Sequence, residues 1–301
     1  MYAPDSMMHI NEDVIPSDGG HEIRAGKTGP RFLNRGWLMF CDALRQFVQA
    51  NVELCDRITP SIVQRTHAYE KYREAGVALL QREPRCVLDV GAGRQWHFEP
   101  SLKTRDMVLI GFDIDSSEMA QNLLLDQRVS GDACASLGVP DQSVDLIMAR
   151  AVIEHLHDNG AFLVNANRAL REDGRLIVTF ASKHAPFALL NQALPQRVSE
   201  WLLSRLVPGT SGLLGFKAFY DRASYREFKR LLVNSGFEVE RAYASFFSAG
   251  YFRFFVPLFL AHLGFDYLRN ALGNPRLASY FMFIAKKKPS TVPSDQSKTE
   301  I

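Results

Sequence analysis

The chain has 301 residues, enough to bury the core of one α/β domain with added segments or of two small domains. Its hydrophobic content of 47% and its charged content of 23% are those of an ordinary globular protein. The net charge of +2, without a basic helix interleaved with aromatic residues, argues against a nucleic-acid partner.

Cysteine usage and apolar runs place the chain in a compartment. The four cysteines have no paired spacing of the kind that holds zinc, so the sequence predicts no metal site and suits a reducing cytosol. Residues 1–20 lack the basic and apolar regions of a secretion signal, and no apolar run reaches the roughly 18 residues that cross a bilayer. We therefore expect a cytoplasmic protein that does not span a membrane but can lie on one.

The chain begins with an irregular stretch and two helical ones. Residues 1–30 contain scattered prolines, glycines and acids without periodicity, which predicts a flexible N-terminal arm. Apolar residues then recur at helical spacing over 33–52, and a second helical stretch runs over 60–81. Together they predict an N-terminal helical cap over residues 31–84, ahead of a domain over residues 85–288.

Two apolar runs open that domain. The first ends in the sequence Asp-Val-Gly-Ala-Gly at residues 89–93, where the glycines let a ligand approach the main chain of a buried parallel strand. The second, over residues 107–113, ends in Asp113. A carboxylate at the end of the second strand of a doubly wound sheet can accept hydrogen bonds from both hydroxyls of a ribose. These strands predict a site for a nucleoside-containing cofactor.

NAD and S-adenosylmethionine both contain such a nucleoside. The dinucleotide fingerprint requires a third glycine where this chain has Trp96, whose ring is too bulky for close helix–strand packing. The pattern Asp89-x-Gly91-x-Gly93 instead resembles motif I of the class I S-adenosylmethionine-dependent methyltransferases. An NAD-dependent oxidoreductase is the weaker alternative.

The resemblance continues along the chain in the same order as in that family. It includes residues 111–115, 131–133, 143–147 with 153–156, and 168–178. The Glu-His-Leu sequence after the fourth strand is similar to the methyltransferase type 11 group. The resemblance implies a Rossmann-like, seven-stranded, mostly parallel α/β sheet with helices on both faces and a helical cap. It also implies S-adenosylmethionine as cofactor.

The same resemblance assigns residues to the cofactor. The methionine part would lie against motif I, the ribose at the end of the second strand and the adenine after the third. Arg150, at the end of the fourth strand, would point to the cofactor carboxylate or to the substrate. One departure is Gln95, where the family often has a glycine. The assigned residues are Asp89, Gly91, Ala92, Gly93, Asp113, Ile114, Asp132, Ala133 and Arg150.

Candidates for proton transfer follow the fourth and fifth strands. Histidine is the side chain that most often serves as a general base near neutral pH, so His155 is predicted as one, although a structural histidine is the alternative. His184 is a second candidate base. Tyr69, Tyr72 and Tyr220 would line an acceptor pocket or pack in the core, the commoner fate of such rings.

The C-terminal half carries two insertions, at 181–221 and 246–277. The second is dense in aromatic residues, which suits a lid over a lipophilic acceptor, docking on a membrane or partner subunit, or packing against the first insertion. Residues 237–240 and 280–285 are predicted as the last two strands, the final one antiparallel. The polar residues 289–301 are predicted as a disordered tail.

The sequence therefore predicts an enzyme that transfers a methyl group from S-adenosylmethionine to a small or lipophilic acceptor, such as a lipid- or glycan-linked hydroxyl. A non-catalytic scaffold that binds the cofactor, or a membrane-associated subunit, is the alternative, because methyl transfer relies mainly on positioning. A peripheral membrane contact is placed at residues 246–264. The pattern does not predict whether oxygen, carbon or nitrogen is methylated, nor the oligomeric state.

Overall fold

A computed structural model describes residues 35–194 and 217–289, with side chains described from residue 43 onward. The predicted arm over 1–30, residues 195–216 of the first insertion, and residues 290–301 of the predicted tail lie outside the described residues. Within the described ranges, no helix is both long and apolar enough to cross a membrane.

The described strands form one seven-stranded sheet in the order β3-β2-β1-β4-β5-β7-β6. Strands β1 to β5 run parallel, and β7 is antiparallel to both β5 and β6. The predicted mostly parallel sheet with an antiparallel final strand is confirmed. The strands are β1 (Cys86–Val90), β2 (Val108–Asp113), β3 (Gln127–Ser130), β4 (Val144–Arg150), β5 (Leu170–Ala181), β6 (Phe237–Ser245) and β7 (Tyr280–Lys287).

Helices precede the sheet, connect its strands and fill the insertions. Short 3₁₀ turns lie at Pro100–Leu102, Ile153–His155, Ala249–Phe252 and Pro275–Leu277. The described α-helices are α1 (Arg35–Ile58), α2 (Ser61–Arg65), α3 (Ala68–Leu80), α4 (Ser116–Met119), α5 (Asn159–Ala169), α6 (Pro186–Ala193), α7 (Tyr225–Asn234) and α8 (Val256–Leu272).

Both faces of the sheet are buried, which is why its parallel strands read as continuous apolar runs. Alternate residues serve opposite faces: Leu88 and Ile147 belong to the core under α5 and α7, whereas Val87 and Met148 belong to the core under α3. The segment predicted as a cap over 31–84 thus contains one helix, α3, that forms a layer of the sandwich.

The crossover from β1 to β2 contains a 3₁₀ turn but no α-helix. Trp96 and Phe98 are buried there, and their ring centroids lie 5.5 Å apart. On α3, a Cβ atom added to Gly76 would stand 2.5 Å from the Phe98 ring, so this glycine makes room for the loop. The loop after β1 is therefore held by packing against α3.

The second insertion folds around a buried ion pair. Asp266 and Arg269 of α8 are bonded to each other and buried. The Asp266 carboxylate accepts hydrogen bonds from the main-chain nitrogens of Ser248 and Ala249, at 2.7 and 2.8 Å. Arg269 donates to the main-chain oxygens of Phe246 and Leu277, at 2.7 and 2.9 Å. The pair thus ties both ends of the insertion to α8.

Candidate active site

The residues predicted to bind the cofactor lie at the carboxyl ends of four neighbouring strands, β3, β2, β1 and β4. Ligands of open α/β sheets bind at this edge. The side chains and main-chain groups fall into two halves, one around the loop after β1 and one beyond the end of β4.

The glycine loop after β1 requires glycine for steric reasons. Gly91 has a φ of 74°, and a Cβ atom added there would stand 2.3 Å from the Val152 side chain. Its main-chain nitrogen donates to the oxygen of Phe112 at 2.7 Å. Gly93 has a φ of 50° and also lies in the left-handed region, which favours glycine. The loop therefore turns sharply without a side chain at either position.

Asp113 is fixed by main-chain donors at the end of β2. Its Oδ2 accepts from the nitrogen of Gly93 at 3.0 Å, and its Oδ1 accepts from the nitrogen of Asp115 at 3.1 Å. Each carboxylate oxygen keeps further acceptor capacity. The next residue, Ile114, is 65% exposed. Asp113 is thus an oriented, half-buried acceptor that directly contacts the glycine loop.

Asp89 is a buried carboxyl group in β1. It is 5% exposed, and its Oδ2 has no hydrogen-bond partner among the described residues. Burial raises the pKa of Asp89 from 3.8 to about 7, with Arg150 acting in the opposite direction and Asp113 adding to the rise. A buried carboxyl oxygen without a partner is costly to the fold and is available to a hydrogen-bond donor from a ligand.

Beyond β3, Asp132 is exposed and Ala133 is buried in the main core. The Oδ1 of Asp132 accepts from the nitrogen of Cys134 at 2.9 Å. Asp132, Cys134 and His157 place metal-ligating atoms within 4.8 Å of one another. The fold thus gathers three such residue types that chain spacing does not reveal.

Arg150 connects the two halves of the site. Its Nη1 lies 3.1 Å from the nearer ring nitrogen of His97, and its guanidinium lies 4.7 Å from the ring centroid of Tyr69. Burial and the charge of Arg150 lower the pKa of His97 to about 4, and the same two causes lower that of His67 to about 4. Both imidazoles are therefore neutral at pH 7.

Aromatic side chains from separate segments meet beyond the ends of β4 and β5. Tyr69 and Tyr280 have ring centroids 5.5 Å apart, and Phe187 stacks on Tyr251 at 4.0 Å. Tyr251 and Tyr280 share a side-chain hydrogen bond. Tyr69 and Tyr251 remain partly exposed. We call this group the aromatic recess; it consists of His67, Tyr69, Phe187, Tyr220, Tyr251 and Tyr280.

The predicted bases occupy different surroundings. The Nδ1 of His155 lies 3.3 Å from the main-chain oxygen of Lys217. His184 is exposed, and its main-chain nitrogen donates to the Ser182 hydroxyl. Tyr72 is buried against Phe98 in the core, whereas Tyr69 and Tyr220 belong to the recess. Of the three predicted tyrosines, the fold therefore brings two to the candidate site.

Sequence reasoning missed three contributors to this site. They are His97 in the loop after β1, Tyr251 in the second insertion and Tyr280 at the start of β7. Each comes from a different part of the chain, so no local spacing connects them. The Glu-His-Leu sequence after β4 assigns no role to its glutamate, Glu154, whose side chain is buried.

Comparisons with known proteins show that the chain is similar to methyltransferases. A family model described as a methyltransferase domain matches residues 64–242, from α2 into β6. A protein of Mycolicibacterium smegmatis, named as a probable S-adenosylmethionine-dependent methyltransferase, is 27% identical over 199 residues, covering 65% of this chain and 68% of that protein. A Mycobacterium tuberculosis protein with the same description is 28% identical over 113 residues, 36% of this chain and 41% of that protein.

Solved structures with a similar course of the chain include the YcgJ protein of Bacillus subtilis. The match covers 73% of this chain and 99% of that protein, with 16% sequence identity and a TM-score of 0.45.

Proposed function

The chain belongs to the methyltransferase-domain family, and from this premise we propose that it methylates a hydroxyl group of a lipophilic molecule held in the aromatic recess. The family decides between the two nucleoside cofactors that the glycine pattern allowed. The protein is an S-adenosylmethionine-dependent methyltransferase. The identity of its acceptor is the part that we propose.

The residues present fit the cofactor. Bound S-adenosylmethionine supplies a methyl carbon that its sulfonium already makes electrophilic. Asp113, fixed by two main-chain donors, would accept the ribose hydroxyls. The free buried oxygen of Asp89 would pair with the ammonium group, and the glycine loop leaves space for close approach. Arg150 is the cation available for a carboxylate, and Asp132 with Ala133 would lie at the adenine.

One observation carries the proposed acceptor site: Arg150 contacts both the glycine loop region, through His97, and the aromatic recess, through Tyr69. A molecule in the recess would thus lie next to the cofactor, which is the arrangement that methyl transfer requires. The side chains of the recess are aromatic and would suit contact with a lipophilic acceptor. We rank a hydroxyl oxygen first, a ring carbon second and an amine third.

A hydroxyl acceptor must lose a proton, and the edge beyond β4 offers groups to receive it. His155 is the base that the sequence favours, and it lies on the turn that follows β4. Its partly buried ring lies beside the main-chain oxygen of Lys217. His155 therefore stays a candidate, to be tested against its neighbour Glu154.

A peripheral membrane contact is also part of the proposal. Within 246–264, Phe246, Phe247 and Phe259 are buried, so much of the aromatic run packs inside the protein. The outward side chains that remain lie on and before α8, whose two charged residues point inward. This pattern supports contact of α8 with a lipid surface, from which a lipophilic acceptor would be drawn.

The experiment that tests the function combines binding with product identification. Wild-type protein is expected to bind S-adenosylhomocysteine by calorimetry, and Asp113→Ala to weaken binding by about 10- to 100-fold, since two hydrogen bonds to a charged acceptor are lost. Asp141→Ala, an exposed acid before β4 and away from the carboxyl edge, is the matched control.

Labelled methyl groups then identify the acceptor class. Wild-type protein is incubated with methyl-labelled S-adenosylmethionine and with separate lipid and glycan extracts, and products are analysed by mass spectrometry. The label is expected on an oxygen of an extractable lipophilic molecule. Label found only on nitrogen or carbon would contradict the hydroxyl, and equal binding by wild type and Asp113→Ala would contradict the cofactor site.

A further inference from the structure

Glu154 is a buried carboxyl group with one oxygen unused. It lies on the 3₁₀ turn after β4 and is 5% exposed. Its Oε1 accepts from the main-chain nitrogen of Ala181 at 3.2 Å, at the end of β5. Its Oε2 is buried and has no partner among the residues that the structure describes. An unsatisfied buried carboxyl oxygen is costly to a fold, so its retention needs a reason.

The surroundings of Glu154 are those of the aromatic recess. Ala181, which holds one oxygen of Glu154, pairs across the sheet with Tyr280. The main-chain oxygen of Glu154 accepts from the nitrogen of Tyr220 at 3.0 Å. Burial and the Glu154 charge together raise the pKa values of Tyr69, Tyr220 and Tyr280. Glu154 therefore lies close to the tyrosines of the aromatic recess.

Charged and titratable groups face Glu154 from several elements. His155 on the same turn acts to lower its pKa, whereas burial raises it and is the larger cause. The phenols come from α3, the loop before α7, the second insertion and β7. The residues concerned are His155, Tyr69, Tyr220, Tyr251 and Tyr280, with Arg150 near Tyr69.

We propose that Glu154 is the catalytic base that takes the proton of the acceptor hydroxyl. This inference rests on the proposed function. The free Oε2 accepts the hydroxyl proton while the acceptor oxygen forms its bond to the methyl carbon. The bond between sulfur and that carbon breaks, and its electron pair stays on sulfur. The products are a methyl ether, S-adenosylhomocysteine and a protonated Glu154, which then releases its proton to water.

The chemistry of the group suits this role. A general base works best when its pKa lies near the working pH, and the burial of Glu154 moves its pKa upward, in that direction. The carboxylate also becomes uncharged during the step, when the positive charge of the donor disappears. The two charges thus cancel within a site that excludes much of the water.

The test compares Glu154→Gln with His155→Gln. Glutamine keeps the oxygen that accepts from Ala181 and removes the ability to take a proton, so folding is preserved. With 2-naphthol and 1-dodecanol as acceptor probes at pH 8, kcat of Glu154→Gln is expected to fall at least about 100-fold. Its affinity for S-adenosylhomocysteine is expected to match wild type and its Tm to be no lower than that of wild type. The control variant Asp141→Asn is expected to keep the wild-type kcat. His155→Gln is expected to lose less kcat than Glu154→Gln.

Two readouts separate a base from a structural group. The rate of wild type is expected to fall as pH drops through the raised pKa of Glu154, and we call this decrease the acid limb. The acid limb should be present in His155→Gln and absent from the residual rate of Glu154→Gln. A second readout does not depend on turnover. Infrared difference spectra of wild type between low and high pH should contain a band of a protonated carboxyl group, and the spectra of Glu154→Gln should lack this band. In complexes with S-adenosylhomocysteine, this band should shift when 2-naphthol is added.

Three results would overturn the proposal. Wild-type kcat in Glu154→Gln with a hydroxyl probe would remove the base role while leaving the proposed function intact. Loss of rate and of the acid limb in His155→Gln alone would assign the base to His155. Transfer by wild type to amine or carbon acceptors but never to hydroxyls would refute the hydroxyl of the proposed function, and the base role with it.

Discussion

At the scale of single residues, Asp89 couples ligand binding to stability. The pKa of the Asp89 carboxyl group is about 7 in the folded protein, compared with the usual value of 3.8 that applies to the unfolded chain. Between these values the folded state holds a proton that the unfolded state has released. Folding stability is therefore lost as pH rises from about 4 to about 7, and above pH 7 the ligand-free protein carries an uncompensated buried charge.

Replacing this carboxyl by an amide should thus stabilise the ligand-free protein. At pH 8, Asp89→Asn is expected to raise the free energy of unfolding by about 4 kcal/mol, and at pH 4 the two proteins should be nearly equal. Urea denaturation at both pH values provides the measurement. His67 and His97 have the opposite effect on the pH dependence of stability, because their lowered pKa values reduce stability as pH falls toward 4. Both histidines are present in wild type and in the variant, so their effect cancels when the two proteins are compared at the same pH.

The same substitution should weaken cofactor binding at pH 8, because the ammonium group loses its charged partner. A variant that is less stable than wild type at pH 8 would contradict the argument. It would mean that the free oxygen of Asp89 has a polar partner in the folded protein.

Residues of the site differ in how well the sequence predicts them. The glycine loop and Asp113 form a local pattern, and the structure brings them into direct contact. Arg150 was expected to point to a carboxylate or to the substrate, but among described side chains it contacts a neutral histidine and a tyrosine ring. Its neighbours arise from α3 and from the loop after β1, and such a convergence leaves no trace in residue spacing.

At the scale of elements, α8 inverts the usual distribution of polar and apolar residues. Asp266 and Arg269 are buried, whereas Leu268 and Leu272 are 57% and 62% exposed. The buried pair holds the insertion together, because it bonds to the main chain before and after the helix. Its loss should affect the fold more than the loss of a surface pair.

A single substitution tests the importance of this pair. Arg269→Met leaves the Asp266 charge buried and uncompensated, and is expected to lower the free energy of unfolding by about 3–5 kcal/mol. Arg171→Met removes a partly exposed ion pair with Asp145 and should cost about 1 kcal/mol or less. Urea denaturation of both variants gives the comparison, and similar losses would show that the buried pair has no special weight.

Two connections between strands contain little or no α-helix. Asp115 caps α4, accepting from the nitrogen of Ser117 at 2.9 Å, but α4 is a single turn. Similarly, the crossover after β1 is filled by Trp96 and Phe98 without an α-helix. A capping pattern reports the first turn, whereas the number of following turns depends on what the sheet leaves to be covered.

At the scale of the whole molecule, the apolar face of α8 is the feature that calls for a partner. Large exposed apolar side chains lie on this helix and just before it, including Phe255, Leu260 and Phe265. Several exposed apolar side chains on one helix are the pattern from which we propose an interaction surface. The proposed partner is a lipid bilayer, which would also present the lipophilic acceptor.

Vesicle sedimentation tests that contact. The double variant Leu268→Glu and Leu272→Glu is expected to reduce binding to phospholipid vesicles at least about tenfold. The reason is that each leucine would contribute about 1.5–3 kcal/mol to binding when it is buried in the bilayer. Leu123→Glu is the control, since Leu123 is 89% exposed far from α8 in the chain. Equal binding of wild type and the double variant would refute the membrane contact through α8.

The order of motifs along the chain predicted the sheet well. Gly-x-Gly, the acid ending the second run and the last two strands all fell into the expected topology, because parallel strands with two buried faces leave strong apolar runs. The acceptor half was not predictable in the same way. Its aromatic side chains are distant in sequence and come together only in the folded protein; they include Tyr69, Phe187, Tyr251 and Tyr280.

The packing of Phe98 against Gly76 has a consequence for how this protein can be divided. Helix α3, which packs against the loop after β1, precedes the first strand. A truncation between residues 81 and 85 would therefore keep every strand but remove the helix that supports this loop. The segment required to bind the cofactor therefore includes α3 and is longer than the segment that contains the seven strands. A fragment without α3 would lose the support of the cofactor-binding loop and also the layer that covers one face of the sheet.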